Sequence, residues 1–185
     1  MSDIFFVLGG ARSGKSELAE RLAAASGERV LFVATMSPGD SELRERASRH
    51  RRTRPLWDIL EEPLEVVPRL RALAPAYRTI LLDCLTLWVS NLMLNGRDVE
   101  PAVHAFLDWA AAAPPGRVIV VSNEVGSGVV PASTLGRAFR DELGRTNRLV
   151  AARSAAIYYL VAGMTLDLTA LRAPARPEGT DDPRR

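Results

Sequence analysis

Five short runs of apolar, β-prone residues punctuate the chain: Ile4–Leu8, Arg29–Ala34, Thr79–Asp83, Arg117–Ser122 and Ala156–Ala162. Each is nearly continuous in its apolar character, as expected of strands covered on both faces in a parallel sheet. Between them the apolar period lengthens to that of a helix. Leu18, Ala19, Leu22 and Ala23 form one stripe, with Glu17, Glu20 and Arg21 on the opposite side. Leu135, Phe139, Leu143 and Val150 form another, with Arg137, Arg140, Asp141, Arg145 and Arg148 largely off it. Strands alternating with helices predict an α/β fold, a mostly parallel central sheet with helices on both faces. Ala110–Gly116 closes a helix and turns into the fourth strand, so it reads as a loop and not a linker. One domain over residues 1–171 follows. From Arg172 the apolar period is lost and three prolines appear among many charges, which predicts a flexible tail over 172–185.

The first strand runs directly into Gly9-Gly10-Ala11-Arg12-Ser13-Gly14-Lys15-Ser16, which fits the phosphate-binding pattern G-x-x-x-x-G-K-[ST]. Strand, glycine-rich loop and helix stand in the order that chemistry needs. Backbone N–H groups of the turn wrap phosphate oxygens, the helix N-terminus faces the anion, and the Ser16 hydroxyl is placed to ligate Mg²⁺. Lys15 is the one lysine in the chain, against twenty-three arginines. A protein that uses arginine for every other cation keeps lysine where a planar guanidinium would be too wide, and a phosphate cradle is such a place. The pattern therefore points to a nucleoside triphosphate.

Composition narrows the class without naming a reaction. Hydrophobic residues make up 47% and charged residues 25%, ordinary for a globular domain, and no apolar run is long enough to span a bilayer. No membrane role is expected. The apolar segment at 4–8 leads into the phosphate loop, not to a cleavage site, so a cytoplasmic location is expected. The single cysteine, Cys84, excludes an internal disulfide and reads as a small buried residue. A net charge of +2 gives no argument for nucleic acid, and none is expected as a partner.

Ligands of open α/β sheets gather at the carboxyl ends of the strands. Asp83 ends the third apolar run, where its carboxylate is suited to Mg²⁺ beside the phosphates or to acting as an acidic helix cap. Ser122-Asn123-Glu124-Val125-Gly126-Ser127-Gly128-Val129-Val130-Pro131, at the end of the fourth, is polar and then glycine-rich, and fits an acceptor pocket and plain turn chemistry equally. No Asn-Lys-x-Asp guanine reader is possible, since the only lysine sits in the phosphate loop. That argues against a switch-type GTPase.

Ser41–Arg54 reads as a basic helix ending before Pro55, with Arg46, His50 and Arg54 on one face. A cation about 6 Å from an imidazole, at an effective ε of about 40, disfavours protonation by roughly 1.4 kcal/mol, about one pKa unit. His50 is thus expected to stay neutral and nucleophilic, amid arginines able to hold a triphosphate. A solvated histidine on a wet basic face fits the same pattern. His104, in a separate helical stretch, receives no role.

Taken together, Gly9–Ser16, Ala34-Thr35, Arg46 with His50, Arg54-Pro55, Trp57 with Glu61-Glu62-Pro63, Asp83-Cys84-Leu85-Thr86, Ser122–Gly126, and Phe139-Arg140-Asp141 with Gly144 and Asn147 resemble the bifunctional adenosylcobinamide kinase and adenosylcobinamide-phosphate guanylyltransferase family of cobalamin assembly. The resemblance spans residues 4 to about 168. It implies a RecA-like P-loop NTPase fold and two activities. The first phosphorylates adenosylcobinamide with ATP or GTP. The second passes GMP from GTP through a histidine to adenosylcobinamide phosphate, giving adenosylcobinamide-GDP and pyrophosphate. It also implies that His50 is the guanylylated residue and that Ala34, Thr35, Met36, Arg51, Arg52, Thr53, Arg54, Glu61 or Glu62, and Asp83 line the GTP site. A homotrimer is the implied assembly. The spacing from His50 to Trp57 is one residue shorter than the family pattern, which leaves Glu61 and Glu62 interchangeable at this point. The competing readings are a simple P-loop kinase of a small metabolite and a non-catalytic nucleotide or nucleic-acid binder. The latter is disfavoured by the want of an aromatic stacking platform.

Overall fold

The computed structural model describes residues 3–36, 57–112 and 116–171. The basic helix predicted over 41–54, with His50 and Arg51–Arg54, and the tail predicted over 172–185 lie outside the described residues.

Seven strands among the described residues form one sheet: β1 (Asp3–Gly9), β2 (Val30–Ala34), β3 (Trp57–Glu61), β4 (Thr79–Asp83), β5 (Arg117–Asn123), β6 (Ala156–Val161) and β7 (Met164–Asp167). Their order is β3-β2-β4-β5-β1-β6-β7. All neighbours are parallel except β6 and β7. The helices are α1 (Lys15–Ala24), α2 (Val66–Leu73), α3 (Leu85–Leu94), α4 (Val99–Ala112) and α5 (Thr134–Arg153).

The five predicted runs are all strands because each is apolar enough to be covered on both sides. Alternate residues of one strand serve different cores. Ile4 and Phe6 face one with Ile80, Leu82, Val118 and Val120, roofed by α2, α3, α4 and α5. Val7 faces the other with Leu81, Ile119 and Val121, against Ala19 and Ala23 of α1. Trp88, Phe106 and Trp109 fill the larger layer, Trp88 meeting Phe106 edge-on at 5.9 Å between ring centroids.

Three sequence expectations need correction. Two strands went unpredicted. Trp-Asp-Ile-Leu-Glu of β3 has only Trp57 and Leu60 buried, since β3 is an edge strand beside β2. All four residues of β7 are exposed. Its existence rests on the turn, where Ala162 (φ 50°) and Gly163 (φ 80°) both take left-handed conformations and connect the paired Val161 and Met164. Two such residues are the geometry of a tight hairpin. Hence β6 ends at Val161, one residue early, and the sheet has an antiparallel edge. In α5 Phe139, Leu143 and Val150 of the predicted stripe pack on the core as expected, and only Leu135 does not. Leu135 is 56% exposed, whereas Leu143, Thr146, Asn147 and Val150 are buried. Ser133 caps the helix through its hydroxyl, which accepts from Gly136 N at 3.1 Å, so Leu135 lies in the first turn beyond the reach of the sheet.

Candidate functional site

Parallel register brings the carboxyl ends of the strands into one row. Gly9 pairs with Asn123 and Leu160, Ala34 with both Glu61 and Asp83, and Asp83 with Val121. The loop strand β1 and the Asp83 strand β4 are separated by β5, about 10 Å across two strand spacings.

The phosphate loop is held open by its backbone. Gly9 has no room for a side chain, since a Cβ there would stand 2.5 Å from Leu160 O and 2.9 Å from Ser13 Oγ. Arg12 (φ 54°) and Gly14 (φ 96°) are left-handed, so the chain curls before α1 begins at Lys15. Ala11 and Arg12 are exposed, while Gly10, Gly14 and Ser16 are half-buried. Lys15 is 8% exposed and its Nζ donates to Gly10 O, which folds the ammonium back over the loop. Burial lowers its pKa, and the nearby Cys84 and Asp83 partly oppose that shift. A cation drawn out of water beside a curled run of N–H groups is what an anionic ligand stabilises. Ser13 Oγ is buried with no hydrogen-bond partner among the described residues. A phosphate oxygen would supply one, so the loop as folded fits the group its motif predicts.

The remaining candidates fall into two groups. Asp83 is half-buried at the end of β4, within electrostatic reach of Lys15. Ala34 and Met36 are half-buried at the end of β2. Glu61 is exposed at the end of β3, in register with Ala34. These line the same edge as the loop. Thr35 and Glu62 are engaged in structure. Thr35 is fully buried, its Oγ1 donating to Cys84 O at 2.6 Å and accepting from Cys84 N at 3.0 Å. It is a clip between β2 and β4. Glu62 Oε1 accepts from Leu64 N at 3.0 Å and Glu65 N at 2.8 Å, satisfying donors ahead of α2. Of the two glutamates that spacing left interchangeable, Glu61 has the outward carboxylate. Cys84 is buried as expected, which pushes its thiol up to about 11. His104 is half-exposed on α4, 3.7 Å from Glu100.

The segment after β5 is fixed by a polar network. Ser122 Oγ donates to Asn147 Oδ1 at 2.7 Å, Asn147 Nδ2 donates to Asn123 O at 3.1 Å, and Asn123 N donates to Thr86 Oγ1 at 2.8 Å. Glu124 N then donates to Gly9 O at 3.0 Å, tying this exit to the phosphate loop. Ser122 and Asn147 therefore orient the edge from inside. At the β2 and β3 exits a further residue is engaged that gave no motif in the sequence. Asn91, in the apolar helix α3, donates from Nδ2 to Thr35 O at 2.6 Å and to Pro63 O at 3.2 Å. Its signal was a lone amide within Leu-Trp-Val-Ser-Asn-Leu-Met.

Solved structures share this fold. The crystal structure of the RadB recombinase matches with a TM-score of 0.51 at 16% identity, over 85% of this chain and 73% of that one. A prototypical ATPase from the type III secretion system of pathogenic bacteria matches with a TM-score of 0.55 at 10% identity, over 94% of this chain and 59% of that one. Sheet order, loop and neighbours define a P-loop NTPase of RecA-like fold. Within that class the sequence is specific: residues 5–168 match the family described as cobinamide kinase / cobinamide phosphate guanyltransferase, and the chain belongs to it. The bifunctional adenosylcobalamin biosynthesis protein CobP of Pseudomonas aeruginosa is 46% identical over 165 residues, 88% of this chain and 95% of that protein. The bifunctional adenosylcobalamin biosynthesis protein CobU of Escherichia coli is 36% identical, and that of Salmonella typhimurium 35%, each over 87% of this chain and 97% of its own. The chain is thus a nucleotide-using enzyme of two transfer activities, and the single-activity kinase reading yields to this one. No helix among the described residues is long and apolar enough to cross a membrane.

Proposed function

We propose that one nucleotide site on the carboxyl edge serves both transfers, with the phosphate loop holding the triphosphate and His50 accepting GMP. The observation that carries this reading is the loop itself, where a buried Lys15 and an unpartnered Ser13 hydroxyl converge on a curled backbone beside Asp83. In the first reaction the hydroxyl oxygen of adenosylcobinamide attacks the γ-phosphorus of ATP or GTP. The bond to the bridging oxygen breaks, the nucleoside diphosphate leaves, and the hydroxyl gives up its proton. Lys15 and the loop N–H groups hold the phosphate oxygens as charge moves onto the leaving group.

In the second, a neutral ring nitrogen of His50 attacks the α-phosphorus of GTP, and pyrophosphate departs as the phosphoramidate forms. An oxygen of adenosylcobinamide phosphate then attacks the same phosphorus. The P–N bond breaks, the imidazole is regenerated, and adenosylcobinamide-GDP is released. Covalent capture preserves activation while pyrophosphate gives way to a bulky acceptor. Arg51, Arg52, Thr53 and Arg54 contact the nucleotide in this reading. So do Ala34 and Met36 at the β2 exit, where the fully buried Thr35 acts from behind by clipping that exit to β4 instead of touching the nucleotide as the resemblance implied, and Glu61 in preference to Glu62. Ser16 and Asp83 would hold Mg²⁺, which supplies charge neutralisation between phosphate oxygens. One or two protein oxygens are the usual protein share of such a site. A cytoplasmic homotrimer completes the proposal. Met164 and Leu166, exposed on β7 at the end of the sheet, are a surface of the kind subunits bury, and light scattering at three times the chain mass checks it.

Incubation with α-³²P-GTP tests the covalent step. Acid-labile, alkali-stable label is expected on the protein and is expected to vanish in His50→Ala. A folded wild-type protein that converts adenosylcobinamide to both products yet never carries label would refute the histidine route.

A further inference from the structure

The carboxyl ends of β2 and β3 carry Met36 and Glu61, and among the described residues the backbone ladder between them stops short of joining the two exits. Glu62 N donates to Ala34 O at 2.9 Å and is the final rung. Beyond it the connection is made from a third element. Asn91 Nδ2 donates to Thr35 O at 2.6 Å and to Pro63 O at 3.2 Å, using both amide hydrogens on two different exits. One turn earlier on the same helix face, Trp88 Nε1 donates to Leu64 O at 3.1 Å. Helix α3 itself starts from the Asp83-Cys84 exit of β4, whose Cys84 backbone is clipped by Thr35 Oγ1. Three strand exits therefore converge on one helix, with a single half-buried amide spanning two of them.

We infer that Asn91 is a positioning residue for the nucleotide: it sets the spacing between the β2 and β3 exits, and with it the wall that meets the nucleoside, while leaving the triphosphate cradle alone. The inference rests on the proposed placement of the nucleoside against Met36 and Glu61. The cradle is built from β1, α1 and the neighbouring β6, with the β5 exit tied to it through Glu124 N and Gly9 O, and the Asn91 amide bonds none of these. Losing the amide donors leaves two carbonyls facing each other across the gap, and a carboxylate in its place repels both.

The test compares two probes on the full chain by calorimetry with Mg²⁺ present: inorganic tripolyphosphate, which reports the cradle alone, and guanosine 5′-(α,β-methylene)triphosphate, which cannot be cleaved at the α-phosphorus. Asn91→Asp is expected to weaken the nucleotide analogue at least ten-fold and to change tripolyphosphate by less than two-fold. Asn91→Ala, which removes the donors without adding charge, is expected to do the same to a smaller degree and covers a failure of the aspartate variant to fold. Equal weakening of both probes would reduce Asn91 to general structural support and overturn the inference. Glu61→Gln distinguishes the two levels. If it weakens the analogue while the Asn91 variants do not, the positioning role falls and the nucleoside placement stands. If neither affects the analogue, both fall.

Discussion

Gly9 and Gly10 are adjacent in the same loop, yet the structure assigns them opposite tolerance for a methyl group. Built on Gly9, a Cβ meets Leu160 O at 2.5 Å, about 0.9 Å inside the 3.4 Å of an ordinary contact, and Ser13 Oγ at 2.9 Å. The first obstacle is backbone of the paired strand β6 and cannot swing aside, so relief requires β1 and β6 to separate at the rung that anchors the loop. Overpacking of that kind costs about 1–3 kcal/mol. For a chain of this length each kcal/mol lowers Tm by roughly 2–4 °C, so Gly9→Ala is expected to melt roughly 2–12 °C lower. A Cβ on Gly10 meets nothing within 4 Å. Gly10→Ala is expected to lie within about 0.5 kcal/mol of the parent, with any gain arising from a less flexible unfolded chain. Thermal unfolding of both variants without nucleotide, with urea midpoints as a second measure, decides the matter. Equal melting temperatures for the two would refute the claim that close packing against β6, and not loop flexibility, requires glycine at position 9.

Two further outcomes follow from the same edge. Lys15→Arg keeps the charge but puts a planar fork into a site where the lysine is already buried, so triphosphate affinity is expected to fall about 100-fold, equivalent to losing about 3 kcal/mol of charge-assisted hydrogen bonding; unchanged affinity by calorimetry would contradict the width argument. Cys84, raised by burial from 9.0 to about 11, keeps its proton in the folded chain over a range where the unfolded chain has lost it. The stability it contributes is full below about pH 9 and is lost as pH rises toward about 11, on the order of 2–3 kcal/mol. Urea midpoints should therefore fall less steeply between these limits for Cys84→Ala than for the parent, and parallel slopes would refute the assignment.

What the sequence determined by itself was whatever a short window can carry. An apolar run buried on both faces, a glycine-rich turn with a lone lysine, and a stripe at helical spacing are local patterns, and β1, β2, β4, β5, β6 and α1 follow from them. The tertiary structure decided what depends on a distant partner. β3 is a strand because β2 lies beside it, and β7 because a two-residue turn returns the chain along β6, although neither has a strong apolar alternation. Leu135 fits the helical period of α5 yet faces water, since the stripe reaches the sheet only further along the helix. Thr35 meets Cys84 across 49 positions and Asn91 meets Thr35 across 56, bonds that no spacing rule connects. The same holds for Glu61 and Glu62, equivalent as adjacent carboxylates until the start of α2 engages one of them. Hydrogen-bond partners are chosen by where the folded backbone leaves unpaired donors and acceptors, and those positions exist only once the sheet has set its register.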